Sequence, residues 1–336
     1  MPKPTESATA SLPTRPAEPP PPPRIAAVIP CFNEALAIGR VIDEFRAALP
    51  EAQIHVFDNG STDDTAAVAR ARGARVTGVA LRGKGNVVRR MFADVEADIY
   101  VMADGDATYD LSAARGFIDM MIEGNLDMVV GARVDAGDEA KTYRRGHRFG
   151  NRLLTGAVAS LFGGRLQDML SGYRVFSRRY AKSFPAVSRG FEIETELTVH
   201  ALELRMPFAE VPAPYRARPE GSESKLSTYG DGWRILKTIF KLFVSERPLL
   251  FFSGMAALLA LLALALAEPL IVTYLKTGLV PRLPTAVLAT GVMLAAMLSF
   301  VCGILLHTVT IGRQEAKRLR YLALAGVRES VERLWG

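Results

Sequence analysis

Cysteine is scarce in this chain, which has only two among its 336 residues. Cys31 ends a predicted strand and Cys302 lies inside a long apolar run, so the sequence argues against a disulfide framework. Free thiols are typical of a reducing compartment. We therefore expect the folded part of the chain to lie in the cytoplasm.

The N-terminal segment lacks any apolar core. Residues 1–23 end in a proline run from Pro19 to Pro23 and contain no stretch that resembles the apolar region of a signal peptide. This composition cannot bury enough apolar surface to fold. The sequence predicts a disordered Pro-rich tail over residues 1–23, a solvated segment rather than a docking element, with ordered structure from Arg24.

Two nucleotide-binding signatures are also missing. Around Gly83-Lys84-Gly85 a Rossmann fingerprint would need a glycine where Val88 stands, and the spacing of a P-loop is absent. Lys84 can still bring an ammonium group to a diphosphate at the start of a helix. The alternative for this segment is an ordinary surface turn.

Positive charge is in excess, with 41 Lys and Arg against 35 Asp and Glu and a net charge of +6. Such a balance suits nucleic acid, anionic lipid or an anionic substrate. Many of the basic residues flank an apolar block near the C-terminus. We therefore expect a membrane surface and not nucleic acid as the partner.

Short apolar runs alternate with helical patterns through the first part of the chain. Strands are predicted near residues 25–29, 54–57, 75–79, 99–103 and 128–130, with helices between them. This alternation predicts an α/β fold with a doubly wound, mostly parallel sheet. Ligands of such sheets bind beyond the carboxyl ends of the strands.

The triplet Asp104-Gly105-Asp106 directly follows one of these strands. Two carboxylates on either side of a glycine make a compact site of hard oxygen ligands for Mg²⁺ or Mn²⁺. The alternative is a turn, which Asp-Gly also favours. Asp58 follows another predicted strand, so it can reach the same crevice and accept hydrogen bonds from a base or ribose. Its alternative role is to cap the following helix.

Several arginines are candidates to bind phosphate, because a guanidinium group offers two parallel donors to phosphate oxygens. They are Arg133, Arg144, Arg145, Arg148 and Arg174. Three acids, Glu192, Glu194 and Glu196, fall near the start of a later predicted helix. We interpret them as acids favoured in a first helical turn rather than as a second metal site.

Two long apolar stretches, Leu249 to Ala267 and Leu283 to Leu306, follow a basic amphipathic helix around Trp233 to Phe243. A bilayer core needs about 20 helical residues, so each stretch is long enough to span it. Most flanking cations lie outside the short connection, which places the catalytic part and the C-terminal tail in the cytoplasm. Glycines in this hairpin would allow close helix packing, which leaves a homo-oligomer open.

Four motifs, in chain order, resemble those of family 2 glycosyltransferases. They are Val28-Ile29-Pro30-Cys31-Phe32-Asn33-Glu34, Asp58-Asn59-Gly60-Ser61-Thr62-Asp63, Asp104-Gly105-Asp106 and Ser171-Gly172-Tyr173-Arg174. The subgroup is similar to dolichol-phosphate mannose synthases and bacterial polyprenyl-phosphate glycosyltransferases. The likeness covers roughly residues 24 to 247, and the apolar hairpin is similar to that of many members.

This resemblance implies a GT-A fold and inverting transfer from a nucleotide-sugar donor. It implies that Pro30 and Glu34 line the nucleoside pocket and that Asp58 binds the base. Asp104 and Asp106 would hold the metal and the donor diphosphate.

The resemblance also implies roles for basic residues. Arg133 would face the reaction centre, and Arg145 or Arg148 the acceptor phosphate. Arg218, Ser222 and Lys225 match a loop that closes over the donor in the family.

The chain departs from the family at two places. Asn59 stands where a second acid is usual, and Ala107-Thr108-Tyr109-Asp110 lacks the glutamine that often binds the metal in dolichol-type enzymes. The third metal ligand therefore stays open. The Q-x-x-R-W signature of processive synthases is absent, which argues against a polysaccharide synthase.

The sequence thus predicts transfer of a sugar from a UDP- or GDP-linked donor to a polyprenyl phosphate, at a bacterial inner membrane. Another lipid or lipid-linked saccharide as acceptor and a non-catalytic membrane scaffold are the alternatives. The expected organisation is a tail over 1–23, a GT-A domain over 24–227, an amphipathic helix over 228–247, two membrane helices over 248–308 and a basic tail over 309–336.

Overall fold

The computed structural model describes residues 23–135, 145–163, 167–219 and 228–332. Its centre is a seven-stranded sheet with the order β3-β2-β1-β4-β6-β5-β7. The strands are β1 (Ile25–Cys31), β2 (Gln53–Asp58), β3 (Arg75–Gly78), β4 (Ile99–Met102), β5 (Met128–Asp135), β6 (Arg174–Ser177) and β7 (Phe208–Tyr215). All seven residues of β1 are buried, as expected of a strand covered on both faces.

The sheet is mostly parallel, and β6 is its exception. This strand runs antiparallel to both of its neighbours, β4 and β5. Strand β7 pairs in parallel with β5 along its whole length, from Phe208 to Tyr215. Sequence reasoning did not anticipate β7, because its residues Pro212 and Pro214 argue against a ladder partner. As an edge strand it tolerates them.

Helices cover both faces of the sheet and continue beyond it. They are α1 (Ile38–Ala48), α2 (Thr65–Ala71), α3 (Lys84–Asp94), α4 (Ala114–Glu123), α5 (Arg145–Phe162), α6 (Arg178–Ser183), α7 (Ile193–Glu203), α8 (Thr228–Glu246), α9 (Pro248–Thr277), α10 (Leu283–Leu322) and α11 (Val327–Glu332). Two core clusters lie on opposite faces, one around Ile29, Phe45 and Val101 and one around Phe57, Met91 and Tyr100.

The sequence pattern predicts that α1 begins at about Glu34 with Asn33 as its N-cap, but the helix begins four residues later, at Ile38. Asn33, expected to cap it, adopts a positive φ of 55° and its side-chain oxygen accepts a hydrogen bond from the backbone of Thr62, at 2.7 Å. Glu34 donates its backbone N–H to Thr65 Oγ1 at 2.8 Å. The segment after β1 is therefore tied to the segment after β2, and both stand at the carboxyl edge of the sheet.

Helices α9 and α10 form an antiparallel hairpin that is long and apolar enough to cross a membrane. Most of their apolar side chains are exposed, and only 11% and 17% of the most apolar windows are buried. A helix in a soluble core would be covered by protein instead. Along α8, Trp233, Leu236 and Phe240 are exposed while Ile235 and Ile239 are buried against the domain.

The C-terminal segment, predicted as a basic tail from residue 309, packs back onto the domain. Tyr321 donates a hydrogen bond to the fully buried Asp127 at 2.6 Å, and the Arg179 guanidinium lies 4.7 Å from the Tyr321 ring centroid. Val327 is 1% exposed and belongs to the main core cluster. Helix α10 therefore continues past the apolar span and joins the hairpin to the sheet domain.

Candidate active site

A cavity of about 320 Å³ opens beyond the carboxyl ends of β1 and β4, and we call it the cleft. Several of the residues predicted from sequence line it together: Pro30, Glu34, Lys84, Asp104, Asp106, Arg133 and Arg218. They come from separate parts of the chain, so the sheet edge brings them together as the rule for open α/β sheets requires.

Lys84 lies at the centre of a buried charge cluster. Its Nζ atom is 2.5 Å from Asp104 Oδ1 and 2.6 Å from Glu194 Oε1, and its side chain is only 9% exposed. Burial favours the neutral amine, but the carboxylates of Asp104 and Glu194 outweigh it and hold the pKa of Lys84 above its usual value. The ammonium group is therefore charged and fixed in position on the cleft wall.

Two glycines allow Lys84 to reach this place. Gly83 has a φ of 113°, and a Cβ atom there would lie 2.2 Å from the carbonyl oxygen of Arg189. A Cβ on Gly85 would lie 2.2 Å from the carbonyl oxygen of Ser188. The Gly-Lys-Gly segment is thus a close-approach point against the loop before α7, which a surface turn would not need.

Asp106 occupies the opposite side of the triplet. Its Oδ1 accepts hydrogen bonds from the backbone N–H and the hydroxyl of Thr108, at 3.1 and 2.6 Å. Its Oδ2 lies 2.5 Å from Arg218 Nη2. Burial, and then the nearby Asp104 carboxylate, raise the pKa of Asp106. Arg218 also reaches Glu34, with Nη1 3.7 Å from Oε1, so it bridges two predicted parts of the donor pocket.

Arg133 is held by a two-point ion pair. Its Nε and Nη2 atoms lie 2.7 and 2.8 Å from the two carboxylate oxygens of Asp168, and its side chain is 13% exposed. Glu210 in turn accepts hydrogen bonds from the backbone of Gln167 and Asp168, both at 2.7 Å. The guanidinium is therefore oriented at the cleft by a partner on the neighbouring loop.

Asp58 and Asn59 differ in their relation to the cleft. Both oxygens of Asp58 accept hydrogen bonds from Ser61 within the turn, and Asn59 is the member of the pair that lines the cavity. Asn59 donates to the carbonyls of Val79 and Leu81 and accepts from Gly83 N–H at 2.6 Å. A second acid there could not donate these bonds, so Asn59 fixes the segment that carries Lys84.

Arg174 lies away from the cleft, which corrects the prediction that it binds phosphate, as an acceptor-phosphate ligand or otherwise. The side chain is completely buried, and its guanidinium donates to the carbonyl of Ser171 at 2.9 Å and to Thr198 Oγ1 at 3.1 Å. It also donates to the carbonyls of Met169 and Glu194. These bonds join β6 to α7, so Arg174 supports the wall of the site from behind.

The other predicted positions lie at or beyond the limits of the described residues. Lys225, Ser222 and Arg144 fall outside them. Arg145 and Arg148 belong to the first turn of α5, but the positions of their side chains are not among those described. Their roles at the donor and acceptor stay predictions.

Sequence reasoning missed several residues of the cleft. Glu194 was interpreted as a helix-terminus acid, yet it is 4% exposed and pairs with Lys84. Tyr109 and Tyr215 line the cavity with ring centroids 5.2 Å apart, and the Arg82 guanidinium lies 4.3 Å from the centroid of Phe32. Glu194 is the second residue of α7, and its local sequence does not distinguish it from Glu192 and Glu196.

The donor atoms of the cleft fit a divalent cation of the Mg²⁺ or Mn²⁺ type. Asp104 and Asp106 supply hard carboxylate oxygens. In this structure Lys84 forms an ion pair with Asp104, and Arg218 forms one with Asp106. Among the described residues no group of three His, Cys, Asp or Glu side chains forms a metal centre. Mg²⁺ and Mn²⁺ also bind phosphate oxygens, which a diphosphate bound beside the two carboxylates would supply.

Comparisons with known proteins agree with this geometry. Residues 26–184 match the sequence profile described as Glycosyl transferase family 2. Glycosyltransferase AglJ of Haloferax volcanii is 31% identical over 306 residues, which cover 90% of this chain and 99% of that protein. The dolichyl-phosphate hexose transferase of the same organism is 31% identical over 224 residues, 66% of this chain and 95% of that protein.

Among solved structures, glucosyl-3-phosphoglycerate synthase from Mycobacterium tuberculosis, in complex with Mn²⁺, UDP and glucosyl-3-phosphoglycerate, has a TM-score of 0.54. It is 26% identical in sequence, and the likeness covers 65% of this chain and 79% of that one. The predicted GT-A fold, followed by two long apolar helices, is confirmed. The cleft and these relatives together show that the chain is a glycosyltransferase and belongs to glycosyl transferase family 2.

Proposed function

We propose that this glycosyltransferase transfers a sugar, with inversion, from a UDP- or GDP-linked donor to a polyprenyl phosphate at the cytoplasmic face of a bacterial inner membrane. One observation carries the proposal: Asp104 and Asp106 stand in one cleft with the cationic side chains of Lys84, Arg133 and Arg218. Paired acids and bases of this kind suit an anionic diphosphate bound together with a divalent cation.

The donor diphosphate would bind between Lys84 and Arg218. A divalent cation held by Asp104 and Asp106, when bound, would supply charge neutralisation for the departing nucleoside diphosphate. A phosphate oxygen of the donor would then replace Asp106 as the partner of the Arg218 guanidinium, because both are anionic groups that bind the same side chain. Pro30 and Glu34 would contact the nucleoside from the cleft wall and Asp58 from the adjacent turn, and Lys225 would follow Arg218 over the donor.

The acceptor phosphate needs little activation by the protein. By analogy with phosphorylated side chains, its second pKa is about 6, so it is largely ionised at neutral pH. A strong general base is therefore unnecessary, and the cleft-lining residues that the structure describes include no histidine. Arg133, oriented by Asp168, would face the reaction centre, with Arg145 and Arg148 contacting the acceptor phosphate.

The hairpin supports a lipid acceptor. Helices α9 and α10 are apolar enough to span a bilayer, and exposed Trp233, Leu236 and Phe240 of α8 suit a membrane surface. A relative named dolichyl-phosphate hexose transferase matches this chain over 95% of its own length. The Pro-rich tail over 1–23, the transferase domain over 24–227, the amphipathic helix over 228–247 and the membrane spans over 248–308 would then keep the boundaries predicted from sequence.

The direct test supplies radiolabelled nucleotide-sugars and a polyprenyl phosphate to the full chain in detergent. We expect a labelled sugar on the lipid phosphate, and loss of this product in Asp106→Asn. The control is Asp43→Asn, since Asp43 is an exposed acid on α1, outside the cleft. Thin-layer analysis that finds the label on another lipid or on a lipid-linked saccharide would contradict the proposed acceptor.

A non-catalytic scaffold is the alternative from another class. Nucleotide binding separates it from the proposal, because a transferase cleft is stabilised by UDP or GDP in the presence of Mn²⁺. We expect one of the two nucleotides to raise the unfolding temperature of the wild type and neither to raise that of Asp106→Asn. No shift with any nucleotide, together with no product, would favour the scaffold.

A further inference from the structure

A second large cavity, of about 650 Å³, lies where the sheet domain meets the foot of the hairpin. Its walls come from the end of α5, the end of α7, the junction of α8 and α9, and the part of α10 beyond the apolar span. It is separated from the cleft by the length of α7. Glu194 lines the cleft and Glu203 lines this cavity, roughly 13 Å apart along the helix axis. We call it the hairpin cavity.

Three arginines line the hairpin cavity: Arg205, Arg247 and Arg318. All three side chains are exposed, and none has an ion-pair partner among the described residues. The acids of the cavity, Glu203 and Glu246, are by contrast already paired. Unpaired arginines that converge on one polar space favour an anion with several oxygens.

The two acids do not cancel these arginines. Lys317 Nζ lies 2.9 Å from Glu203, and Arg313 Nη2 lies 3.0 Å from Glu246. Burial, and then the proximity of Glu246, raise the pKa of Glu203. The electrostatic balance inside the cavity is therefore positive.

The backbone of Arg205 adopts a conformation that is unfavourable for a residue with a side chain. It follows the end of α7 with a positive φ of 53°, a conformation that glycine adopts without strain. An arginine is strained in this conformation, because its Cβ crowds the neighbouring backbone and glycine has no Cβ. Because Arg205 lines the cavity, an anion bound to its guanidinium would offset this strain.

An apolar extension adjoins the polar space on the hairpin side. A further cavity of about 470 Å³ shares Glu246, Arg247 and Gln314 with it and continues between Leu249 and Leu250 of α9 and His307 of α10. Arg247 directly precedes the apolar helix, so charge and apolar surface meet at this residue. A ligand with a polar head and an attached hydrocarbon chain would fit the polar cavity and its apolar extension.

We infer that the hairpin cavity binds the phosphate headgroup of an anionic membrane phospholipid, with its hydrocarbon chain along the extension beside Leu249 and Leu250. The inference rests on the proposed bilayer position of the hairpin. This lipid is not the acceptor, because α7 separates the cavity from the cleft. It fixes the height of the sheet domain above the membrane and so the approach of the cleft to the lipid surface.

The test measures lipid retention by the full chain in detergent, using native mass spectrometry with phosphatidylglycerol and phosphatidylcholine. The wild type is expected to retain phosphatidylglycerol selectively. The variant Arg205→Gly/Arg318→Ala should bind it about tenfold or more weakly, the loss of about 1.4 kcal/mol or more. Because glycine suits the backbone at position 205, this variant should unfold at no lower temperature than an Arg318→Ala variant.

The matched control is Arg70→Ala/Arg320→Ala, which removes the same charge from exposed positions outside the cavity. Equal losses in both double variants would overturn the site, as would unchanged retention in Arg205→Gly/Arg318→Ala. Displacement of the phospholipid by an equal concentration of glycerol phosphate would overturn a lipid source in favour of a soluble phosphate. Glycosyl transfer is measured on the same preparations, so a failed lipid site and a failed transferase assignment give different results.

Discussion

The α-carbon of Gly172 packs directly against the carboxylate of Asp104. A Cβ atom at position 172 would lie 2.3 Å from Asp104 Oδ2, far inside a normal contact. Tyr109 anchors the segment that leads into β6, because its hydroxyl accepts a hydrogen bond from the Gly172 N–H at 2.9 Å. The Ser-Gly-Tyr-Arg motif thus forms the rear support of the acidic triplet and fixes the orientation of one of its two carboxylates.

We expect Gly172→Ala to displace the Asp104 carboxylate. Overpacking of this kind costs about 1–3 kcal/mol of stability and should weaken Mn²⁺-dependent binding of UDP or GDP. Thermal shift and isothermal titration calorimetry measure the two effects. The control is Gly116→Ala on α4, which has open space around its α-carbon and should be neutral or slightly stabilising. Nucleotide binding equal to that of the wild type in Gly172→Ala would contradict this arrangement.

Lys84→Met should leave Asp104 and Glu194 as facing acids without their common cation. Removal of one member of a buried ion pair costs about 3–5 kcal/mol, so this variant should unfold at a markedly lower temperature. Adding Glu194→Gln removes one uncompensated charge and should restore part of the stability. Nucleotide binding should stay weak in both variants, because the cleft has lost its ammonium group. Full recovery of binding in the double variant would argue against contact between Lys84 and the donor.

Arg174→Met should destabilise the fold without a specific effect on the acceptor. Several buried acceptors, among them the carbonyls of Ser171 and Met169, would lose their donor, at about 1–3 kcal/mol for each unsatisfied group. Urea or thermal unfolding measures the loss. Arg189→Met, at an exposed position, serves as the control. A stable Arg174→Met variant with a raised KM for the lipid acceptor alone would restore the phosphate-binding role.

His200 should make stability depend on pH. Burial, and then the charge of Lys317, lower its pKa from 6.5 to about 3. The His200 imidazole is therefore protonated below about pH 6.5 in the unfolded chain, but only below about pH 3 in the folded chain. Stability from this residue is complete above pH 6.5 and falls with acidification, by about 1.4 kcal/mol per pH unit. Between neutral pH and pH 5, unfolding should show a steeper loss of stability on acidification in the wild type than in His200→Phe.

Val327→Asp should detach the C-terminal helix from the sheet domain. The side chain is buried in the main core cluster, so a charge there costs several kcal/mol. The variant should show a lowered unfolding temperature and faster proteolysis after residue 322. Leu322→Asp is the control, because Leu322 is 67% exposed at the end of α10. Equal stability of the two variants would mean that the segment is a free tail.

The place of the acidic triplet in the fold could be predicted because each observation that indicates it lies within a short segment of the sequence. A buried strand followed by Asp-Gly-Asp, a Gly-Lys-Gly segment and a chain of alternating strands and helices together specify where the carboxyl edge of the sheet must be. The length and apolarity of the two C-terminal stretches are likewise properties of the sequence alone. The fold class followed from these clues, and the family followed from the resemblance carried by the four motifs.

Only the tertiary structure decided the roles of residues whose surroundings come from distant segments. Arg174 and Arg133 are the same residue type and both lie on strands, yet β6 buries one among carbonyls, while Asp168 orients the other, on β5, at the cleft. Glu194 became part of the cleft because Gly83 and Gly85 let two backbones approach. The pairing of Tyr321 with Asp127 joins positions far apart in sequence. Periodicity and spacing describe one segment at a time, whereas burial and charge compensation depend on which segments the fold brings into contact.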